Sequence, residues 1–256
     1  MSMLIWGVSG CGKTTLAMTA PGKKLHIAFD PDAAASLGAM PSDELFIADF
    51  SGIKPSDVEK FIGDDPMKIR QIITDLEIDT VVVDSMTSLG DLCTAQGAAR
   101  ANIVSPQARV KASAEFPTLQ GYQFRNGIIL QIVSSLLRVT SSMQKHIIFI
   151  AHEDVPEKNA DGIVMQISMM LGGKLNAQTP VKLSEVWNVR DDAKKGRIIA
   201  IRPCRQRVPM KTRMFITTGE PEFPWNFDPE KWEGDTIEQW HRQWVDNGGK
   251  KIPLPK

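Results

Sequence analysis

No apolar run in the 256 residues approaches the ~20 needed to cross a bilayer, and no basic-then-apolar leader precedes the first apolar segment. Neither a membrane partner nor a secretory signal is expected. Cysteine is scarce. Cys11, Cys93 and Cys204 are odd in number and far apart, which fits a reducing cytoplasm and argues against a disulfide framework or zinc site. Net charge is lacking too, with 30 basic against 30 acidic side chains, so the chain as a whole is no nucleic-acid sponge. Internal repeats and low-complexity tracts are also missing. What remains is 42% hydrophobic content at this length, which suits one α/β domain with a small appendage.

The most specific pattern present comes almost at the start. The apolar run Met3-Leu4-Ile5-Trp6 leads into Gly7-Val8-Ser9-Gly10-Cys11-Gly12-Lys13-Thr14, followed by a helix-compatible segment from Thr15 to Ala20. This is a Walker A phosphate loop: a buried strand delivers a glycine-rich turn whose N–H groups, with the following helix N-terminus, face phosphate oxygens. Gly7, Ser9, Gly10, Cys11, Gly12, Lys13, Thr14 and Thr15 are the expected nucleotide-binding residues, with Lys13 reaching the β- and γ-phosphates and the Thr14 hydroxyl on Mg²⁺. Cys11, beside a helix N-terminus, is expected to have a lowered pKa and to react readily if exposed.

A second anchor is the β-branched run Thr80-Val81-Val82-Val83, which ends in Asp84-Ser85. It reads as a buried parallel strand whose terminal carboxylate, a Walker B aspartate, shares the metal with Thr14, because ligands of open α/β sheets bind beyond the strand carboxyl ends. Ser85 stands where many ATPases carry a water-orienting Glu. A hydrolytic carboxylate must then come from elsewhere, or hydrolysis must be slow. The strand Lys24–Phe29 ends in Asp30-Pro31-Asp32, which brings two candidates to the same edge.

In this order the motifs resemble the RecA-like P-loop ATPases, and among them the phage-type proteins that include single-strand annealing and recombination ATPases. The resemblance runs to about Met214. It implies that Asp32 orients the attacking water, with Asp30 as the competing candidate. It implies that His152, at the tip of the strand His146–Ala151, senses the γ-phosphate from between the Walker A and Walker B strands. Lys211-x-Arg213 is similar to the element that some RecA-like proteins insert into a neighbour's active site. Gly172-Gly173-Lys174 falls in the same order. Implied cofactors and partners are ATP with Mg²⁺, single-stranded DNA, further copies of the chain in a ring or filament, and a single-strand binding protein. The compartment is a bacterial host cytoplasm if the chain is phage-encoded. A nucleotide-dependent switch or motor acting on a protein is the alternative, and a small-molecule kinase comes third because no arginine-studded lid is evident.

Strands alternating with helices predict a mostly parallel sheet covered on both faces. Glu44–Ala48 reads as a strand, Pro55–Leu76 and Gln123–Met143 as helices. Val186–Val189, Arg197–Ile201 and Met214–Thr217 read as an antiparallel extension. The expected division is a core over 1–218 and an acidic, aromatic tail over 219–256, in which Ile237, Trp240 and Trp244 form one face of a short helix docked on its own or a neighbouring subunit. With the first strand starting at Met3, assembly is expected to use the core or this tail. Nine basic residues crowd Arg190–Arg213 and acidic ones follow Gly219. They form either a stripe for a phosphate backbone or two faces that neutralise each other. The segments Ala99–Pro117, with Arg100, Arg109, Lys111 and Phe116, and Glu153–Met170 are expected loops. In RecA-like proteins the loops at those two places face DNA.

Overall fold

The computed structural model describes residues 1–30, 37, 40, 42–54, 57, 66–108 and 111–255. Asp32, Arg109 and residues 55–56 and 58–65 of the helix expected from Pro55 lie outside the described residues. The strands are β1 (Ser2–Gly7), β2 (Lys24–Ala28), β3 (Leu45–Asp49), β4 (Thr80–Asp84), β5 (His146–His152), β6 (Glu157–Lys158), β7 (Val164–Gln166), β8 (Glu185–Asp192), β9 (Gly196–Ala200), β10 (Glu222–Pro224), β11 (Phe227–Asp228) and β12 (Glu233–Gly234). The helices are α1 (Lys13–Met18), α2 (Pro66–Asp75), α3 (Met86–Val104), α4 (Leu119–Ser142), α5 (Leu175–Val181) and α6 (Ile237–Asp246).

Eight strands form one sheet in the order β10-β9-β8-β1-β5-β4-β2-β3. From β8 to β3 every pair is parallel, whereas β9 and β10 are antiparallel additions. Strand β5, which ends in His152, thus lies between the Walker A strand β1 and the Walker B strand β4, the order of a RecA-like core. Alternation along β1 sends Leu4 and Trp6 to one face, against α2, α3, α4 and α5, and Met3 and Ile5 to the other, against α1 and the C-terminal segment. Both faces are covered, which is why the central strands read as continuous apolar runs.

Three expectations need correcting. Val186–Val189 belongs to β8, which is parallel to β1 and part of the main sheet; only its partner β9 begins the antiparallel extension. Met214–Thr217 is not a strand, and its ladder contact is a single bridge from Phe215 to Ile252. Ala99–Pro117 is not a loop throughout, because α3 continues to Val104. Ser85 caps α3 by accepting from the Ser88 N–H, and Thr118 caps α4 by accepting from the Gly121 N–H.

The α3–α4 pair is antiparallel. Arg125 Nε donates to the Gly90 carbonyl at 3.0 Å, and Ser105 Oγ donates to Gln120 Oε1 at 2.9 Å. Arg125 also donates to the Leu171 carbonyl, close to the point where Met170 bonds His152 at the end of β5. The Arg125 guanidinium therefore reaches the sheet's carboxyl edge, while its backbone packs against Gly97, further along α3. From there α4 descends across the sheet to deliver β5, while most of α3 and the first turns of α4 stand above the edge as an arm.

The tail is docked on its own subunit. Thr236 and Gln239 form a reciprocal cap at the start of α6. The Ile237 N–H donates to Thr19 Oγ1 at 3.0 Å, tying α6 to the end of α1. Trp240 packs among Trp187, Phe215 and Phe223.

Candidate functional site

Gly12 precedes α1 with φ +90°, a left-handed conformation that favours glycine. Helix α1 closes its first backbone bond from the Leu16 N–H to the Gly12 carbonyl at 2.9 Å. The N–H groups of Lys13, Thr14 and Thr15 thus have no helical acceptor and face outward, as an anion cradle requires. A side chain at Gly7 would collide with the Val189 carbonyl of β8, so the loop leaves the sheet tightly held. Lys13 is only 5% exposed. Its Nζ donates to the Val8 carbonyl at 2.6 Å across the loop, and burial lowers its pKa.

Two motifs separated by 70 residues of chain meet here. Thr14 Oγ1 donates to Asp84 Oδ2 at 2.7 Å, which brings together a hydroxyl and a carboxylate, the hard oxygen donors that suit Mg²⁺. The residues present fit that ion. His26, buried in β2, places Nε2 3.3 Å from the same Asp84 oxygen, and its Nδ1 has no partner among the described residues. The peptide between Asp84 and Ser85 is cis.

Asp30 follows β2 beside this pair. Ser88 Oγ donates to its Oδ1, and His152 Nε2 lies 3.6 Å from Oδ2. Facing His152, with the Ser88 and Ser85 hydroxyls adding, holds the Asp30 carboxyl down at about 2 against the opposing effect of burial. The backbone N–H of His152 donates to Thr87 Oγ1 at 3.0 Å. His152 and Asp30 therefore share the edge with Thr14 and Asp84.

Cys11 departs from expectation. It is fully buried, and its Sγ donates to the Val189 carbonyl at 3.1 Å. Burial raises the thiol pKa, and this outweighs the Lys13 charge that lowers it. The side chain faces the core, so only the backbone of Cys11 is available to a phosphate.

Lys211 and Arg213 lie far from the loop in the same chain. Lys211 pairs with Val186 through two backbone bonds of 2.9 Å, and the Arg213 N–H donates to Glu185 Oε1 at 2.7 Å. Both therefore flank the start of β8, beside Glu185 and Val186, which are level with Met3 and Leu4 of β1, so they sit roughly 10–13 Å of strand below the level of Gly7. Arg213 lines a cavity of about 660 Å³ there with Met1, Arg138, Lys145, Lys182 and Trp244.

The basic segment is partly neutralised within the chain. Arg190 pairs with Glu222, Arg205 with Glu222 and Asp192, and Arg207 makes a fork of two 3.0 Å bonds to Glu153. Glu153 sits against the phosphate loop, its N–H donating to the Gly7 carbonyl. Sequence reasoning passed over Ser88, His26 and this Glu153–Arg207 fork. A histidine inside an apolar strand was the available signal for His26; the fork left none, since its partners lie 54 positions apart.

Sheet order, phosphate loop and the Thr14–Asp84 meeting define a P-loop NTPase of RecA-like fold. The family model described as AAA domain matches residues 1–214, and the chain belongs to that family. Among solved structures it is similar to a KaiC-like protein of the hyperthermophilic archaeon Pyrococcus horikoshii, with 14% identity, 90% of this chain and 86% of that one covered, and a TM-score of 0.45. No curated protein matches the chain. Among the described residues no helix is long and apolar enough to cross a membrane.

Proposed function

We propose that the protein binds and hydrolyses ATP at the phosphate loop and couples that site to single-stranded DNA in recombination or strand annealing. The observation that carries the reading is the meeting of Thr14 and Asp84 at the base of two segments that rise from the same edge. One is the α3–α4 arm, whose far end exposes Phe116 (74%) and Tyr122 (47%) near Lys111; the other is the β6–β7 hairpin, which exposes Ile163 and Met165 near Lys158. Rings and apolar wedges can take unstacked bases while lysines hold phosphates.

In this reading the outward N–H groups of α1 take the phosphate oxygens and Lys13 leaves the Val8 carbonyl for the β- and γ-phosphates. Thr14 and Asp84 hold Mg²⁺, whose chemistry is to neutralise charge on the phosphate oxygens. Asp30 stays ionised at neutral pH and accepts a hydrogen bond from the attacking water; with a pKa near 2 it orients water better than it removes a proton. Asp32 is the alternative for that task. His152, against Asp30, senses the γ-phosphate. The Lys211-x-Arg213 element, remote from its own loop, acts on the nucleotide of a neighbouring copy.

ATP hydrolysis measured with and without single-stranded DNA tests the reading. Stimulation supports it. Unchanged turnover with intact basal hydrolysis favours a nucleotide-dependent switch on a protein partner, for which the aliphatic side chains Ile103, Val104 and Leu119, exposed on the arm, are the specific observation.

A further inference from the structure

The phosphate loop has two flanks. Asp84, Asp30 and His152 occupy one, on the β5, β4 and β2 side, where the metal and γ-phosphate end of a nucleotide belongs. On the other, toward β9 and β10, a β carbon at Gly12 would meet Trp225 Cζ3 at 3.1 Å and the Arg197 Cζ and Nε at 3.3 Å. An indole and a guanidinium thus abut the residue before Lys13.

Trp225 is rigidly held. It is 3% exposed, its backbone N–H donates to the Arg197 carbonyl and its indole N–H to the Asp235 carbonyl, each at 2.9 Å, and Phe227 stacks on it at 5.6 Å and 11°. Arg197 rests over that indole with Cζ 5.6 Å from the ring centroid. It is half-buried, and it has no carboxylate partner among the described residues, unlike Arg190, Arg205 and Arg207. A guanidinium is planar and can stack on aromatic faces, and this one is anchored beside a buried indole.

We propose that Arg197, packed against Trp225, is the platform on which the base of the bound nucleotide stacks, so that the C-terminal segment beyond Met214 completes the nucleotide site. The proposal rests on the reading of the phosphate loop as a nucleotide site. The triphosphate already has its donors in the loop N–H groups and Lys13, and its metal end points to Asp84. The nucleoside end then runs toward the opposite flank, where this guanidinium stands beside a rigidly held indole, without a carboxylate partner among the described residues.

Calorimetric titration of ATP and of inorganic tripolyphosphate into wild type, R197Q and R197K tests this, with melting curves to confirm the fold. Base stacking sets the scale of the expected effect. Both variants should weaken ATP about tenfold and leave tripolyphosphate unchanged, because lysine keeps the charge but not the plane. Equal weakening of both ligands, recovery of ATP affinity in R197K, or no change in R197Q would overturn the platform while the phosphate-loop reading stands. A wild type that binds neither ligand would overturn that reading and the platform with it.

Discussion

Lys13 is buried, and among the described residues its ammonium is hydrogen-bonded to one carbonyl of its own loop. Lys13→Ala is therefore expected to fold normally and to bind ATP roughly 10- to 150-fold more weakly, the loss of a charged hydrogen bond of about 1.5–3 kcal/mol. Titration of the folded variant checks it. Cys11 leads to the opposite of its sequence reading. With Sγ buried and its pKa raised, alkylation of the native protein should modify the half-buried Cys204 first and reach Cys11 and Cys93 only on unfolding. Peptide mapping after a timed alkylation decides this, and rapid labelling at Cys11 would refute it. The difference shows what a sequence conveys at this scale. The glycine spacing around Cys11 located the loop, but which way a side chain turns depends on Val189, which is 178 residues away in the chain.

At the scale of elements, the antiparallel pair α3 and α4 depends on close backbone approach at Gly97. A β carbon there would press into the Gly121 carbonyl and the Arg125 N–H, and backbone cannot turn aside as a flexible side chain can. Gly97→Val should cost about 1–3 kcal/mol of stability, read as a lower urea midpoint. The parallel strands were legible because burial on both faces leaves unbroken runs such as Val81-Val82-Val83. The extent of α3 was not. Its outer turns, Ala99 to Val104, meet α4 rather than the sheet, so the apolar period that marks a helix on a sheet fades there. The third expected extension strand failed for a related reason: Phe215 and Met214 are apolar because they pack beneath α6, a role that needs no ladder.

For the molecule as a whole, burial holds the His146 imidazole down at about 3 against an ordinary 6.5. The unfolded chain takes up this proton near 6.5 and the folded chain only near 3. The contribution to stability is thus complete above about 6.5 and declines as pH falls toward 3. Chemical denaturation at pH 7 and pH 5 should show that decline, and His146→Gln should lessen it. The separation of Arg213 from its own phosphate loop makes a second prediction. Arg213→Ala should bind ATP yet lose most hydrolysis, by a factor of about 10³ or more if it acts as an arginine finger. Mixing it with Lys13→Ala protein should restore turnover at shared interfaces; a mixture that co-assembles and stays inactive would refute action between copies. The order of the motifs made the sheet legible from sequence, whereas the distance from Arg213 to the loop emerged only once β8 had been threaded beside β1. One further consequence belongs to the arm. Its first helix is rooted in Ser85, next to the carboxylate that meets Thr14, and its 19 residues span roughly 28 Å at 1.5 Å each. A tilt of about 5° at that root sweeps Val104 through roughly 2.5 Å, by the same helix rise. The helix thus has the proportions of a lever whose short end lies beside the Thr14–Asp84 pair, so any tilt at its root is magnified along its length.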